Sequence, residues 1–170
     1  MATTYTLINS NVLTSSAASV TFSAIPSTYT DLVLRASVRS DRANTQDDMR
    51  FTFNSATTNF SYTYIRGTGA ATSSSSATDP YNWAGNIPAA TATSNTFGNG
   101  ELYIPSYTTS QNKQSSAIMA MENNVTSPVY LTGVANLWSN SAAISTIYLY
   151  LGFGSFVSGS SFYLYGISNA

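Results

Sequence analysis

Apolar and polar residues alternate along most of the chain, with the period of two that is typical of β-strands. The clearest example is the stretch 31–40. On one face of this stretch lie Leu32, Leu34, Ala36 and Val38. The opposite face carries a mixture of apolar, basic and hydroxyl side chains. This pattern predicts a strand with one face in a hydrophobic core.

The same pattern recurs in ten short segments, and no segment shows the periodicity of an amphipathic helix. The predicted strands are Thr3–Asn9, Val20–Ile25, Asp31–Ser40, Met49–Asn54, Tyr62–Arg66, Glu101–Ser106, Ser116–Glu122, Val129–Trp138, Ser145–Leu151 and Ser161–Ile167. About ten short strands separated by turn residues are typical of an all-β antiparallel sandwich, most often a jelly roll. A length of 170 residues suits a single domain, residues 1–170.

One segment interrupts the alternation. Residues 67–99 are rich in Ser, Thr, Ala and Gly, and poor in branched apolar residues. The sequence therefore predicts a long loop insertion here, since loops of this length are commonly functional. Tyr81 and Trp83 near its centre argue against simple disorder. Two interpretations stay open: an arm that anchors these rings on a neighbouring subunit, or a loop whose Trp83 covers its own sandwich.

Composition excludes several kinds of chemistry. The chain contains no His and no Cys, which removes the usual zinc sites, disulfides and Cys/His or Ser/His catalytic pairs. Asp47 and Asp48 are adjacent, whereas paired catalytic carboxylates flank a cleft. Six basic residues are too few for a strong grip on a phosphate backbone. We therefore expect no enzyme activity, no cofactor or metal, and no nucleic-acid partner.

Charge is scarce and unevenly distributed. Charged residues make up 8% of the chain, and the formal net charge is −1. Eight of the thirteen lie between residues 31 and 50: Asp31, Arg35, Arg39, Asp41, Arg42, Asp47, Asp48 and Arg50. Arg35 and Arg39 share the polar face of one predicted strand, from which we expect them to reach Asp47 or Asp48 on the following turn, or the carboxylates of a partner. We interpret this cluster as an interface or a structural network, with Arg42 and Arg50 as further interface candidates.

The remaining surface is expected to be neutral and hydroxyl-rich. Ser, Thr and Asn together exceed a third of the chain. A surface with so little charge favours association, so we expect much of it to be covered in an assembly. The first residues lack a secretory signal, and no apolar run is long enough for a membrane helix. These features predict a protein made in a cytoplasm, without a membrane partner.

Tyrosines alternate on several predicted strands. The pairs are Tyr62 and Tyr64, Tyr148 and Tyr150, and Tyr163 and Tyr165. Such rings can form a platform for sugars, although Tyr is also a common residue on a half-buried sheet face. Glycan binding therefore remains an alternative partner hypothesis at this stage.

Several motifs together resemble a known group of proteins. They include Tyr5-Thr-Leu-Ile-Asn-Ser, the stretch Tyr29–Arg39, Glu101-Leu-Tyr-Ile-Pro and the closing Gly-Ser-Ser-Phe-Tyr-Leu-Tyr-Gly-Ile at 159–167. The chain resembles the small β-sandwich structural proteins of tailed bacteriophage virions, which are head decoration (cement) proteins or tail components. The resemblance spans nearly everything except residues 67–99. The Gly-Ser-Ser turn is expected to return the last strand antiparallel to 147–151.

This resemblance implies a capsid decoration protein, on the exterior of the virion, that binds the major capsid protein shell and stabilises the head. It also implies a homotrimer. The alternative is a receptor- or glycan-binding module of a tail fibre or tail tip. The shared motifs are structural, so the resemblance supplies no catalytic residue.

Overall fold

The computed structural model describes residues 4–122 and 129–168, and twelve β-strands account for most of them. The strands are β1 (Tyr5–Val12), β2 (Ser19–Phe22), β3 (Asp31–Val38), β4 (Gln46–Phe53), β5 (Phe60–Gly67), β6 (Thr72–Asp79), β7 (Asn82–Pro88), β8 (Gly98–Ile104), β9 (Lys113–Met121), β10 (Tyr130–Trp138), β11 (Ile147–Leu151) and β12 (Ser161–Ile167). Among the described residues, no helix has the length and hydrophobicity needed to traverse a lipid bilayer. Thr3, the predicted start of the first strand, lies outside the described residues.

The strands form two antiparallel sheets that pack as a sandwich. The larger sheet has the order β1-β12-β3-β8-β9-β10-β5-β6, and the smaller has the order β2-β11-β4-β7. Eight of the strands form two facing layers, β1-β12-β3-β8 and β2-β11-β4-β7, and among these eight the chain passes between layers at every step except from β4 to β7. This connectivity is that of a jelly roll. The predicted all-β antiparallel sandwich is confirmed.

The jelly roll explains where the last strand goes. We expected β12 to return beside 147–151 after the Gly-Ser-Ser turn, but β12 instead pairs with β1 and β3. β11 pairs with β2 and β4 in the other sheet. β11 and β12 lie in different sheets, so the turn before Ser161 carries the chain from one layer of the sandwich to the other.

Four strands extend the larger sheet beyond the jelly roll. β5 and β6 are inserted between β4 and β7, and β9 and β10 between β8 and β11. They add to β8 in the order β9-β10-β5-β6. We call these four strands the extension. On its inner side, β7 contacts β9 and β10 extensively and β5 slightly, whereas β6 packs mainly on β5.

A single hydrophobic core lies between the sheets. Most strands contribute to it, and β3 does so through alternate residues that include Leu32 and Leu34, as the sequence pattern predicts. Phe51 and Phe53 of β4 are fully buried and contact each other at 5.3 Å between ring centroids. Burying rings of this size supplies much of the apolar area that stabilises a sandwich.

Residues 67–99 differ from the expected loop. They contain β6 and β7 and the start of β8, and all seven residues of β7 are buried. Trp83 is 6% exposed and packs within its own sandwich. The interpretation in which an arm anchors Trp83 on a neighbouring subunit is therefore wrong. Gly85 lies on β7 at φ 136°, where an added Cβ would be 2.8 Å from Cβ of Met119. Small residues here therefore serve close packing of β7 on β9.

Candidate functional site

The smaller sheet is narrower than the larger one, and a cleft forms where its last strand, β7, ends over the extension. The cleft has a volume of about 190 Å³. Its lining residues come from β4, β5, β7 and the residue that precedes β7: Asp48, Tyr62, Tyr64, Arg66, Trp83 and Tyr81. We call it the edge cleft. Its floor is the inner face of β5, which carries Tyr62, Tyr64 and Arg66 because they alternate with outward-facing residues.

Four aromatic rings form the base of the edge cleft. The indole of Trp83 meets Tyr64 edge-on at 4.8 Å and Tyr62 at 5.9 Å between centroids. Tyr62 in turn stacks with Tyr81 at 6.3 Å. Such contacts stabilise one arrangement of the rings beyond their buried area. Trp83 is therefore the packing centre, while the three half-buried tyrosines form the accessible surface.

Charged groups border the rings. The guanidinium of Arg50 lies 4.2 Å from the centroid of Tyr81, and its Nη2 lies 3.7 Å from Oδ2 of Asp48. Asn86 donates from Nδ2 to Oδ1 of Asp48 at 3.1 Å. Burial raises the pKa of Asp48, and the positive charge of Arg50 opposes that rise. Asp48 thus offers a partly desolvated acceptor next to an aromatic surface.

The tyrosine hydroxyls remain protonated donors. Tyr62 donates to Oδ2 of Asp79 at 2.8 Å, and burial together with this bond raises the pKa of Tyr62. Burial likewise raises the pKa of Tyr81. Among the described residues, no three His, Cys, Asp or Glu side chains are grouped to hold a metal ion. The edge cleft combines ring faces with hydrogen-bonding groups, which suits a neutral polar ligand.

Half of the eight site residues predicted from sequence meet in or beside this cleft. Asp48, Tyr81 and Trp83 line it, and Arg50 packs on Tyr81. The structure brings Asp48 and Arg50 of β4 next to the two aromatic residues because β4 and β7 are paired neighbours. The sequence pointed to these groups separately and did not predict that they adjoin.

Arg42 and Asp47 are near one another but have a different environment. Asp47 is fully buried and accepts hydrogen bonds from Oγ of Ser40 at 2.7 Å and from the amide of Gly154 at 2.9 Å. Nη1 of Arg42 lies 3.8 Å from Oδ1 of Asp47. The guanidinium of Arg42 also lies 3.9 Å from the ring centroid of Phe153. These contacts tie together loops of the same chain.

Arg35 and Arg39 do not reach Asp47 or Asp48, which corrects that expectation. Arg39 follows the end of β3, is buried, and donates to backbone carbonyls in a loop of the same chain. Its acceptors are the carbonyl oxygens of Ala90, Ala92, Thr93 and Thr96. Burial lowers the pKa of Arg39. Arg35 instead lies on the opposite face of the larger sheet from the core and donates to Glu101 at 2.9 Å.

That opposite face is the second candidate surface, and we call it the outer face. Six of the eight exposed large apolar side chains of the described chain project from it: Tyr5, Leu7, Val12, Ile65, Ile118 and Leu131. The charged residues at its strand positions are Asp31, Arg35 and Glu101. Asp31 accepts from the hydroxyl of Tyr103, and this bond raises the pKa of Tyr103. Arg35 and Glu101 neutralise each other, and Glu101 raises the pKa of Arg35.

Register places Ile65 and Ile118 on either side of Gly133, at directly paired positions of β5, β10 and β9. Cγ2 of Ile65 would lie 3.8 Å from a Cβ added at Gly133, so the isoleucine covers this gap. Next to them is an open concavity of about 730 Å³ lined by small polar side chains and Tyr103. The sequence pattern does not reveal this face, because its apolar residues alternate with core-facing residues that are apolar as well.

Comparison with known proteins adds little to these observations. No protein-family model matches the chain, and no curated protein matches it. The chain is similar to the crystal structure of galectin LEC-6 from Caenorhabditis elegans, with 8% sequence identity and a TM-score of 0.34. That alignment covers 98% of this chain and 96% of the galectin chain. A likeness this distant carries no inference about function, which has to come from the chain's own residues.

Proposed function

We propose that the protein is a capsid decoration protein that binds the major capsid protein shell on the exterior of a virion through its outer face. The observation that carries this proposal is the concentration of exposed apolar side chains on one nearly uncharged face. Ile65, Ile118 and Leu131 lie on the neighbouring strands β5, β9 and β10, and exposed apolar side chains grouped in this way mark sites of protein association. Interfaces are depleted of charged residues at their centre. The exposed charges on the central strands of this face, Arg35 and Glu101, neutralise each other as an ion pair.

The fold is compatible with this role, since jelly rolls occur in viral capsid domains as well as in lectins. The resemblance to phage virion proteins supports the same conclusion. A face built on eight hydrogen-bonded strands is also a rigid platform, so little ordering would accompany binding. Association would rest on apolar area and neutral hydrogen bonds rather than on ion pairs.

The test is binding of the purified protein to shells that lack it, measured by co-sedimentation. Ile118→Asp places a charge in the middle of the outer face, and we expect affinity to fall by at least about ten-fold, or ~1.4 kcal/mol. The matched control is Tyr148→Asp, which puts the same charge at an exposed apolar position of the smaller sheet. Equal binding by both variants would contradict the proposal.

Copy number on particles adds a second test, because a decoration protein is present in hundreds of copies and a tail protein in few.

The edge cleft favours a second candidate function, a glycan-binding module of a phage tail. Its ring faces can stack on the apolar face of a sugar, while Asp48 and the guanidinium of Arg66 are placed to bind hydroxyls. Calorimetric titration with mono- and oligosaccharides tests this function. Tyr81→Ala should abolish heat of binding, whereas Tyr5→Ala, a half-exposed tyrosine on the outer face, should leave it unchanged. Absence of any saccharide binding by the unaltered protein would reject this candidate.

A further inference from the structure

The two sheets have four edge strands, and three of them are poorly suited to pairing with another strand. β1 has an irregular register between Leu7 and Asn9. β2 is only four residues long, and every residue of β7 is buried. Short edges, bulges and covered edges are the usual ways in which proteins prevent strand addition.

The fourth edge, β6, has none of these protections. Its eight residues, Thr72–Asp79, pair with β5 in unbroken register, and most of them are exposed. The sequence Thr-Ser-Ser-Ser-Ser-Ala-Thr-Asp contains no Lys, Arg or Pro, and only its last residue is charged. An edge that is long, regular and uncharged presents a free row of backbone donors and acceptors to another strand.

We propose that β6 pairs with β6 of a second copy of this chain, antiparallel and about a two-fold axis perpendicular to the sheet. Residues directly opposite in such a pair must point to the same face. Outer-face residues of β6 are the even-numbered ones, because they continue the rows of Ser61, Thr63 and Ile65 on β5. Placing Ser76 opposite Ser76 of the second copy satisfies this condition and overlaps nearly the whole strand.

Charge complementarity selects this register. It places Ser73 opposite Asp79 of the second copy, and Nε of Arg66 already donates to Oγ of Ser73 at 3.1 Å. The carboxylate of the second copy therefore arrives beside a guanidinium, and symmetry repeats the contact. Asp79 accepts one bond from Tyr62 through Oδ2, and its other oxygen has free acceptor sites. A pairing centred on Ser75 would put Asp79 opposite Ala71, beyond the strand and away from Arg66.

Side-chain size also permits the pairing. The other residues brought together are Ser, Thr and Ala, so nothing bulky separates the two backbones. Among the described strands, only β5 has extensive contact with β6. The paired strands would join the two edge clefts into one groove, with both β7 edges as its walls. The proposal does not depend on what the outer face binds.

A single introduced cysteine tests the register, because the chain has no Cys of its own. Directly opposite residues of an antiparallel pair have Cα atoms about 4.5–5.5 Å apart, within the range that a disulfide spans. We expect Ser76→Cys to oxidise to a species of twice the 18.1 kDa chain mass. Ser74→Cys is the control, since it would lie about 13 Å along the strand from its counterpart and should not form a crosslink.

Sedimentation over a concentration series tests the pairing without a crosslink. The unaltered protein should form a dimer, and Ser76→Lys should be monomeric because two ammonium groups would face each other. Ser10→Lys, the same change on the opposite edge strand, should remain dimeric. A monomeric or trimeric unaltered protein, a trimer being what the resemblance implies, would overturn the proposal. So would equal crosslinking of the two cysteine variants.

Discussion

The two halves of the larger sheet share hydrogen bonding but differ in what lies beneath them. In the jelly-roll half, β12 and β3 face a complete second sheet, and Leu32, Leu34, Phe162 and Leu164 are fully or almost fully buried. In the extension, contact with β7 decreases outward from β9 and β10 to β5, and among the described strands only β5 has extensive contact with β6. The alternation of apolar and polar residues becomes weaker in the same direction, and six of the eight residues of the outermost strand, β6, are Ser or Thr. The second layer, rather than the sheet, determines which residues a strand needs.

β7 connects the two halves. It pairs with β4 in the smaller sheet and packs on β9 and β10 of the extension. Trp83 holds Tyr62 and Tyr64 from below, and Asn136 of β10 exchanges two hydrogen bonds with the backbone of Trp83. The edge cleft thus lies where β7 no longer covers the inner face of the larger sheet. Aromatic and charged side chains at this position are therefore only half-buried.

The largest expected difference between the halves is in core truncation. Phe51→Ala removes a fully buried ring between two complete layers, and we expect it to lower the free energy of unfolding by about 3–5 kcal/mol. Ile65→Ala, on the uncovered outer side of the extension, should change it by less than ~0.5 kcal/mol. Urea denaturation measures both. Similar losses would mean that the outer face is buried in the folded state in solution.

A smaller effect is expected where β6 is attached to the extension. Tyr62→Phe deletes the hydroxyl that donates to Asp79 while keeping the ring stacked on Tyr81. We expect a loss of about 1 kcal/mol, confined to local opening of β6. Hydrogen exchange should show faster exchange of the β6 amides and unchanged rates in β3. Uniform acceleration in both strands would show that the halves unfold as one unit.

The same contrast explains which strands could be predicted from sequence. Ten strands with alternating burial correspond to the ten predicted segments. β6 was missed because nearly all its residues are exposed, and β7 because all of them are buried. Neither strand shows a period of two. A run of small residues without this period has the pattern that is typical of a loop. Pattern detects a strand only where its two faces have different environments.

The site was predictable to a smaller extent. Because charged residues are scarce, their cluster at residues 31–50 indicated the charged residues of β4 as candidates. Tyr81 and Trp83 were indicated because they are large aromatic residues in a segment of small ones. Their meeting depends on the pairing of β4 with β7, a contact between segments whose register no local pattern reveals. Arg39 shows the opposite error, since a strand-face position suggested a carboxylate partner, while its acceptors are loop carbonyls distant in sequence.

The smallest expected effect concerns pH and lies at the boundary between the halves. Burial raises the pKa of Asp48 in the folded protein, so the folded state keeps its proton more strongly than the unfolded chain does. Stability should therefore be highest where Asp48 is protonated in both states and should decline as pH rises from about 4 through the raised value. Asp48→Asn removes this titration and can still accept a bond from Asn86. Its free energy of unfolding should rise relative to the unaltered protein across that interval, and then stay level.

Arg50→Gln tests the balance behind this prediction. The positive charge of Arg50 opposes the effect of burial on Asp48, so its removal should raise the pKa of that carboxyl further. The decline in stability should then be deeper and extend to higher pH, because the half-buried carboxylate of Asp48 loses its partner 3.7 Å away. Urea titrations at a series of pH values measure all three proteins. If Asp48→Asn instead lost stability relative to the unaltered protein as pH rose, the ion pair with Arg50 would outweigh burial. The ion pair between Asp48 and Arg50 beside β7 would then stabilise the folded state.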